Sequence, residues 1–194
     1  MKKINYISTL SIALLCLSAE ATQPAIEEVR IPLTTKEIDN NTLDDLALQV
    51  KIIKALSKQQ YKKLHFSICK GIVVLIGDLS KELAQDAVNK VQAVEGVRRV
   101  FYEPATIPVG ALAADNNGTA LTISIKEKMT RSFGVDASNF TVTSVGKVVY
   151  ITGLVTNAHE EAVILDIVRN EEGADKVKLY LVKTYQNDKP RINK

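Results

Sequence analysis

The pattern of apolar and polar residues occurs twice along this chain, and each copy combines helical and strand periodicity. Both copies contain two short β-branched stretches joined at a glycine, over residues 66–79 and 140–155. This pattern is typical of β-hairpins, because glycine readily adopts the positive φ that tight turns need. The repeat predicts hairpin turns at Gly71 and Gly146, second strands that end at Gly77 and Gly153, and glycine helix caps at Gly96 and Gly173.

Apolar residues at helical spacing lie before and after each hairpin. The predicted helices cover 43–59 and 80–94 in the first copy and 119–133 and 157–170 in the second. Final strands are predicted at 97–103 and 176–184. The side chains predicted to face the cores are Leu46, Val50, Ile53 and Leu56, then Leu83, Ala87, Val91 and Val94, then Leu121, Ile125 and Met129, and last Ala162, Leu165 and Val168.

Each copy therefore has the order αββαβ, and two small domains account for most of the chain. The predicted segments are a signal peptide at 1–21, a polar lead-in at 22–42, a first domain at 43–103, a proline- and glycine-containing linker at 104–118, a second domain at 119–184 and a polar tail at 185–194. The sequence leaves open whether the two domains pack on each other, and it leaves the oligomeric state open.

The repeat resembles the BON domain. The resemblance rests on Ile72 to Leu79 and Val148 to Val155, and on the Gly96-Val97-Arg98-Arg99-Val100 motif. The second copy of that motif departs slightly, with Ala174 where valine is usual. The resemblance implies an α+β fold, an α/β sandwich in which two helices cover one face of a three-stranded mixed sheet in each domain.

Two BON domains behind a signal peptide resemble exported periplasmic proteins and dual-BON outer-membrane lipoproteins. The resemblance implies a non-catalytic role in the bacterial envelope, with phospholipid or client proteins as partners. In the lipoproteins the first helix of the second domain meets anionic lipid. The corresponding candidate lipid-binding residues here are Lys126, Lys128 and Arg131.

The first residues have the features of a secretory signal. Lys2 and Lys3 precede an apolar run from Ile4 to Leu17, and the small residues around Ala21 predict cleavage between Ala21 and Thr22. The product is then a periplasmic protein. The alternative is an outer-membrane lipoprotein acylated at Cys16. After cleavage at Ala21 the remaining cysteine is Cys69, whose apolar surroundings predict a buried small side chain.

The 194 residues contain 25 Lys and Arg against 22 Asp and Glu, a balance that argues against nucleic acid as a partner. The charge is uneven, since residues 43–103 carry ten basic and seven acidic side chains whereas residues 119–184 carry eight of each. Lys51, Lys54 and Lys58 fall on one side of the first predicted helix, and Lys62 joins them if the helix continues. This stripe is a second candidate lipid-binding surface. The alternative is the ordinary solvated face of an amphipathic helix.

No pattern in the sequence predicts catalysis. His65 and His159 occupy different places in the two repeats, and neither has the close spacing of a metal site. Nucleophile and phosphate-binding motifs are absent from the sequence. The Glu160-Glu161 and Glu171-Glu172 pairs are interpreted as solvated charges at helix ends. We therefore predict no catalytic residue, no metal and no cofactor.

Three hypotheses for function follow. The first is an envelope protein that binds anionic phospholipid through basic first helices and supports envelope integrity. The second is a periplasmic chaperone-like stress factor that binds proteins through apolar surface or sheet edges. The third, weaker, is a sensor of a small ligand or cation. Lipid binding through exposed charges is expected to be lost at high salt, whereas client binding is expected to tolerate salt.

Overall fold

The computed structural model describes residues 23–31, 45–62, 64–104 and 116–185. The predicted signal peptide, its cleavage site at Ala21 and Thr22, and Cys16 lie outside the described residues, as do most of the predicted linker and the tail. Along the described chain the elements are β1 (Ala25–Arg30), α1 (Asp45–Ala55), β2 (His65–Cys69), β3 (Ile72–Gly77), α2 (Lys81–Gln92), β4 (Arg99–Pro104), α3 (Asn116–Arg131), β5 (Phe140–Val145), β6 (Val148–Val155), α4 (Ala158–Arg169) and β7 (Lys176–Lys183).

The αββαβ order is confirmed in both repeats, and the fold is α+β with mixed sheets. Sheet 1 has the strand order β2-β3-β4, and sheet 2 has the order β1-β7-β6-β5. In each repeat the hairpin strands are antiparallel and the final strand runs parallel to the second hairpin strand. The turn glycines Gly71 and Gly146 have φ of 76° and 58°, which gives the turns the left-handed backbone that glycine tolerates.

The fourth strand of sheet 2 corrects two expectations, the three-stranded sheet in each domain and the polar lead-in over 22–42. Within that lead-in, β1 pairs in parallel with β7, with Ala25 opposite Lys176. Glu27 forms an ion pair with Lys176 at 2.6 Å, and Glu28 forms one with Lys183 at 3.0 Å. A six-residue strand with two adjacent glutamates shows no clear alternation, so only its distant partner makes it recognisable as a strand.

The apolar stripes of α2 and α3 face the cores as predicted. Leu121, Ile125 and Met129 are buried beneath α3, and Ala87 and Val91 are buried beneath α2. In α4 the buried apolar residues are Ile164, Ile167 and Val168, whereas Ala162, predicted to face inward, is exposed. Alanine has little apolar surface to bury, so the isoleucines fix the orientation of this helix.

The predicted inward face of α1 is wrong. Leu48 and Ile52 are buried, whereas Leu46, Val50 and Ile53 point away from the core. The α1 helix is apolar on two sides. Leu48 and Ile52 form one stripe, and Leu46, Val50 and Ile53 form the other. Both stripes have the spacing expected of an amphipathic helix. Periodicity alone therefore cannot decide which side packs on the sheet.

The two sheets pack face to face, so the two domains form one body. Their facing side chains form a single apolar cluster, composed of Ile31, Ile72, Val74, Ile76, Val145, Tyr150, Tyr180 and Val182. The rings of Phe101 and Tyr180 lie 5.1 Å apart across this interface, and the hydroxyls of Ser67 and Thr152 are hydrogen-bonded within it at 3.3 Å. The layers are thus helices, sheet 1, sheet 2 and helices. As a result, the outer faces of α1 and α3 lie on opposite sides of the protein.

Polar contacts surround the apolar interface. Glu103 at the end of β4 accepts hydrogen bonds from Lys178 and from the Tyr180 hydroxyl. Burial, together with this contact to Glu103, raises the pKa of Tyr180 well above its usual range. On the opposite side of the interface, the Thr141 hydroxyl donates to the Ile68 carbonyl at 2.8 Å. These contacts fix the register of one sheet on the other.

Cys69 lies in this interface, buried as predicted, and its thiol donates to the Asn139 carbonyl at 3.1 Å. Burial raises the pKa of the Cys69 thiol from 9.0 to about 12, with a smaller contribution from the Asp45 carboxylate. We expect Ellman's reagent to react at pH 8 with the folded, purified protein of residues 22–194 at least a hundredfold more slowly than with the same protein unfolded in urea. The thiolate is the reactive species, and burial keeps the Cys69 thiol protonated. Fast labelling of the folded protein would contradict this burial.

The raised pKa of Cys69 also predicts how stability depends on pH. The unfolded thiol ionises near pH 9 and the folded thiol near pH 12. Between these two pH values only the unfolded thiol ionises, which favours unfolding. The contribution of Cys69 to the free energy of unfolding is therefore fully present below pH 9 and is lost as the pH rises towards 12. A Cys69→Ala variant is expected to lose stability less steeply over that interval, as measured by urea unfolding at pH 8, 9.5 and 11.

Candidate functional site

The outward side of α1 exposes more large apolar side chains than any other described element, although the single most exposed one is Phe133, just after α3. Leu46, Val50 and Ile53 are 70%, 63% and 54% exposed, and they lie on one side of a helix of 11 residues. We call these three residues the α1 outer face. Large apolar side chains that share one exposed face mark interaction surfaces more often than scattered ones do.

Contacts at both ends of α1 hold this orientation. At the N-terminal end the Asp45 carboxylate accepts hydrogen bonds from the backbone amides of Lys70 and Gly71, at 2.7 and 3.1 Å. After the helix, a short 3₁₀ turn buries Tyr61, whose hydroxyl donates to Asp86 on α2. The helix is thereby fixed with Leu48 and Ile52 inward and the α1 outer face towards solvent.

Two of the four predicted lysines lie on the helix beside this face. Lys54 is exposed and forms no ion pair with any described residue, whereas Lys51 lies 3.6 Å from the exposed Glu95. The helix ends at Ala55, and Lys58 has an extended backbone with ψ of 145°. Lys58 and Lys62 are exposed but belong to the turn that follows, so a single four-lysine helical stripe does not form. The segment from 46 to 62 contains lysines and no acidic residue.

The candidate residues on α3 are mostly engaged with acidic side chains. Lys128 forms an ion pair with the buried Glu171 at 2.8 Å, and Arg131 pairs with Glu127 at 3.5 Å. Lys126 is exposed and, among the described residues, forms no ion pair. It borders a shallow groove of about 460 Å³ that also exposes Ile123. The outer face of α3 therefore offers one isoleucine and one cation without an ion pair to a described residue, and Phe133, two residues after the helix, is 95% exposed.

Two glutamates that were interpreted as solvated are buried. Glu160 is 1% exposed and accepts hydrogen bonds from the backbone amides of Asp136 and Thr156. Glu171 is 5% exposed and pairs with Lys128. Lys128, the partner of Glu171, lies on another helix, and no local pattern reveals that contact. Glu160 also accepts from Thr156, four residues before it and just ahead of α4, so part of its environment is local. The contacts of both glutamates are satisfied within the fold, which gives them structural roles.

The described residues show no arrangement for metal or acid–base chemistry. His65 and His159 are both exposed, on different elements. No group of three or more His, Cys, Asp or Glu side chains in the described segments is placed to hold a metal ion. Within the same segments no helix has the length and apolar character needed to cross a bilayer.

Comparison with known proteins places the repeat in a family. The BON domain family matches residues 44–104 and 117–182. An uncharacterised protein of Anaplasma centrale, from the region 5′ of gshII, is 24% identical over 145 residues, covering 72% of this chain and 94% of that protein.

Among solved structures, the chain resembles CdsD, a structural protein of the type III secretion system of Chlamydia trachomatis. The sequence identity is 14%, the coverage is 71% of this chain and 92% of that chain, and the TM-score is 0.30. A second structure, of the C-terminal domain of CdsD, shows 15% identity and the same TM-score. These values are too low to support any inference about function.

The BON domain family matches both repeats of the fold. The two matched segments correspond to the two αββαβ repeats and together cover about two thirds of the chain. BON domains occur in proteins of the periplasm or envelope and in proteins associated with osmotic stress, and the family is generally non-enzymatic. The chain belongs to the BON-domain family, as a tandem member with two copies.

Proposed function

We propose that this protein is a non-enzymatic, exported envelope protein that binds anionic phospholipid through the α1 outer face and the lysines beside it, and that it supports envelope integrity in this way. The observation that carries the proposal is the exposure of Leu46, Val50 and Ile53 next to Lys51 and Lys54. An apolar face bordered by lysines is the arrangement with which amphipathic helices lie in the interface of a bilayer.

The free energy expected for transfer of this surface to a membrane favours reversible binding. Burying a whole aliphatic side chain contributes about 1.5–3 kcal/mol. The three side chains of the α1 outer face are each somewhat more than half exposed, so moving their exposed parts into the acyl boundary contributes roughly 4 kcal/mol in total. Lys54, which forms no ion pair with a described residue, adds roughly 1 kcal/mol near an anionic surface. Lys51 is paired with Glu95 and is left out of this sum. The sum corresponds to a partition coefficient on the order of 10⁴, close to that of a single myristoyl chain. Lysines alone are too weak, so the apolar side chains are essential to the proposal.

The layered fold favours one of the two first helices as the lipid surface. Because α1 and α3 lie on opposite sides of the protein, one flat membrane can contact the outer face of only one of them. The α3 surface, which the family resemblance favoured, has Lys128 and Arg131 engaged in ion pairs and exposes only Ile123 as a large aliphatic in its groove. The α1 surface has three exposed aliphatic residues, and we therefore assign lipid binding to the first domain.

A pair of charge reversals tests this assignment. Lys54→Glu and Lys126→Glu make the same chemical change on exposed lysines of the two opposite helices. With purified residues 22–194 and sedimented vesicles containing anionic lipid at low salt, we expect Lys54→Glu to lower the bound fraction at least fivefold and Lys126→Glu to leave it unchanged. Zwitterionic vesicles and physiological salt are expected to reduce binding of the unmodified protein.

A third variant tests the apolar contribution. Val50→Ser removes an exposed side chain from the α1 outer face, and it is expected to weaken vesicle binding severalfold without changing the unfolding midpoint. Loss of binding in Lys126→Glu alone would move the site to the second domain. Absence of binding to every vesicle would overturn the lipid proposal.

The same exposed apolar residues favour a second candidate, a chaperone-like protein that binds unfolded clients. This function predicts suppression of client aggregation that persists at high salt, because apolar contacts are not screened. Val50→Ser is expected to weaken such activity, whereas Lys54→Glu is not. The two lysine variants therefore distinguish a lipid surface from a protein client.

A further inference from the structure

The outer edge of β4 is one of the two edges of sheet 1, the other being that of β2. In this sheet the order is β2-β3-β4, and no strand of the described residues pairs with the far side of β4. The corresponding edge in sheet 2 is occupied, since β1 pairs with the far side of β7. The two repeats therefore differ at one position, which β1 fills in sheet 2 and which no described strand fills in sheet 1.

The strand registers show that β4 and β7 are equivalent. Each runs parallel to the second strand of its hairpin, and Arg99 lies opposite the first residue of β3 just as Lys176 lies opposite the first residue of β6. The side chains alternate in the same way. Val100 contacts the helical core of its domain and Phe101 contacts the interface between the sheets.

The β1–β7 pairing shows what this edge accepts in sheet 2. An extended segment of six residues lies parallel to β7, with Ile26 against the helical core and Val29 against the interface. Its two glutamates pair with lysines of β7. Main-chain hydrogen bonds, alternating apolar side chains and acidic residues beside a basic strand together hold it in place.

The β4 edge has a similar set of features. Arg99 is exposed in the place of Lys176, and Arg98 precedes it. Neither arginine forms an ion pair within the described part of the chain, and Arg99 is exposed while Arg98 is partly exposed. Glu103 is directed to Lys178 and Tyr180 instead, and thus places no unpaired negative charge on this edge.

We propose that the β4 edge binds an extended, acidic segment of a partner protein by strand addition, parallel to β4, with carboxylates against Arg98 and Arg99. The partner segment has the chemistry of β1, with β-branched residues around adjacent acidic residues. Strand addition takes its affinity from the main chain and its selectivity from alternate side chains. This surface is separate from the α1 outer face and is independent of lipid binding.

The probe for the test is a capped synthetic peptide of residues 24–31, PAIEEVRI, added to purified residues 22–194. We expect it to increase amide protection at residues 99–103 in hydrogen exchange, and to bind at least tenfold more tightly than the same peptide with both glutamates replaced by lysine. Arg99→Glu is expected to weaken binding at least tenfold. Arg169→Glu is the matched control, because Arg169 is exposed on α4 and forms no ion pair with a described residue.

Four outcomes would overturn the proposal. The first is no binding at millimolar peptide. The second is altered protection at residues 176–183, which would mean that the peptide replaces β1 at β7. The third is equal loss of binding in Arg99→Glu and Arg169→Glu, which would indicate only a general effect of charge. The fourth is a dimer of the protein that Arg99→Glu dissociates, which would make a second copy the occupant of this edge.

Discussion

Replacing Gly153 with alanine is expected to lower the free energy of unfolding by about 3 kcal/mol or more. Gly153 lies within β6 opposite Phe140 of β5. A Cβ at this position would lie 2.2 Å from Cδ1 of Phe140 and 2.7 Å from the Asn139 carbonyl oxygen. The ring and the backbone must both move, and overpacking of this kind typically costs about 1–3 kcal/mol for a side chain alone.

Gly173→Ala is the control that separates a steric clash from backbone conformation. Gly173 has φ of 88°, but the nearest atom to its added Cβ is Leu121 Cδ2 at 3.9 Å. Only the left-handed backbone is unfavourable there, at roughly 1–2 kcal/mol. Urea unfolding followed by circular dichroism measures both variants. A Gly153→Ala variant no less stable than Gly173→Ala would show that β5 and β6 separate more easily than their packing indicates.

Removal of the Glu160 carboxylate is expected to have a similarly large effect. Its two oxygens accept from the Asp136 amide at 3.1 Å and from the amide and hydroxyl of Thr156 at 2.8 and 2.7 Å. The Glu160 amide in turn donates to Asn157, the N-cap of α4. Glu160→Ala leaves these donors without their acceptor and creates a cavity, which together cost about 3 kcal/mol.

Two further variants define this effect. Glu160→Gln keeps one acceptor oxygen, and we expect it to lose less stability than Glu160→Ala. Glu172→Ala removes an exposed glutamate, so its free energy of unfolding is expected to stay within about 0.5 kcal/mol of the unmodified protein. If Glu160→Ala unfolded at the same urea concentration as Glu172→Ala, the buried carboxylate would have no stabilising role.

The sequence predicts those parts of the fold that depend on local pattern. Glycine turns between β-branched runs identify both hairpins, and α2 and α3 each have one apolar side. The α1 helix is different, since Leu46 and Leu48 begin two apolar stripes with the same spacing. The choice between them depends on Asp45 and Tyr61, whose partners lie on other elements.

The packing of the two sheets could also have been predicted from the sequence. All six residues of β3, from Ile72 to Gly77, are buried. A strand exposed on one side alternates between apolar and polar residues, whereas a continuous apolar run indicates that both faces are covered. The run Ile72 to Ile76 therefore carries a signal for a second layer. The buried state of Glu171 has no such signal, because its partner Lys128 is brought to it by tertiary structure alone. Glu160 does have a local signal, since it stands three residues after the N-cap Asn157 and accepts from Thr156.

The pairing of β1 with β7 has a consequence for the order of folding. Among the described strands β1 is the first to be synthesised and β7 is the last, yet they are neighbours in one sheet. Sheet 2 therefore stays incomplete until nearly the whole chain is available, and pairing over such a long sequence separation is slow.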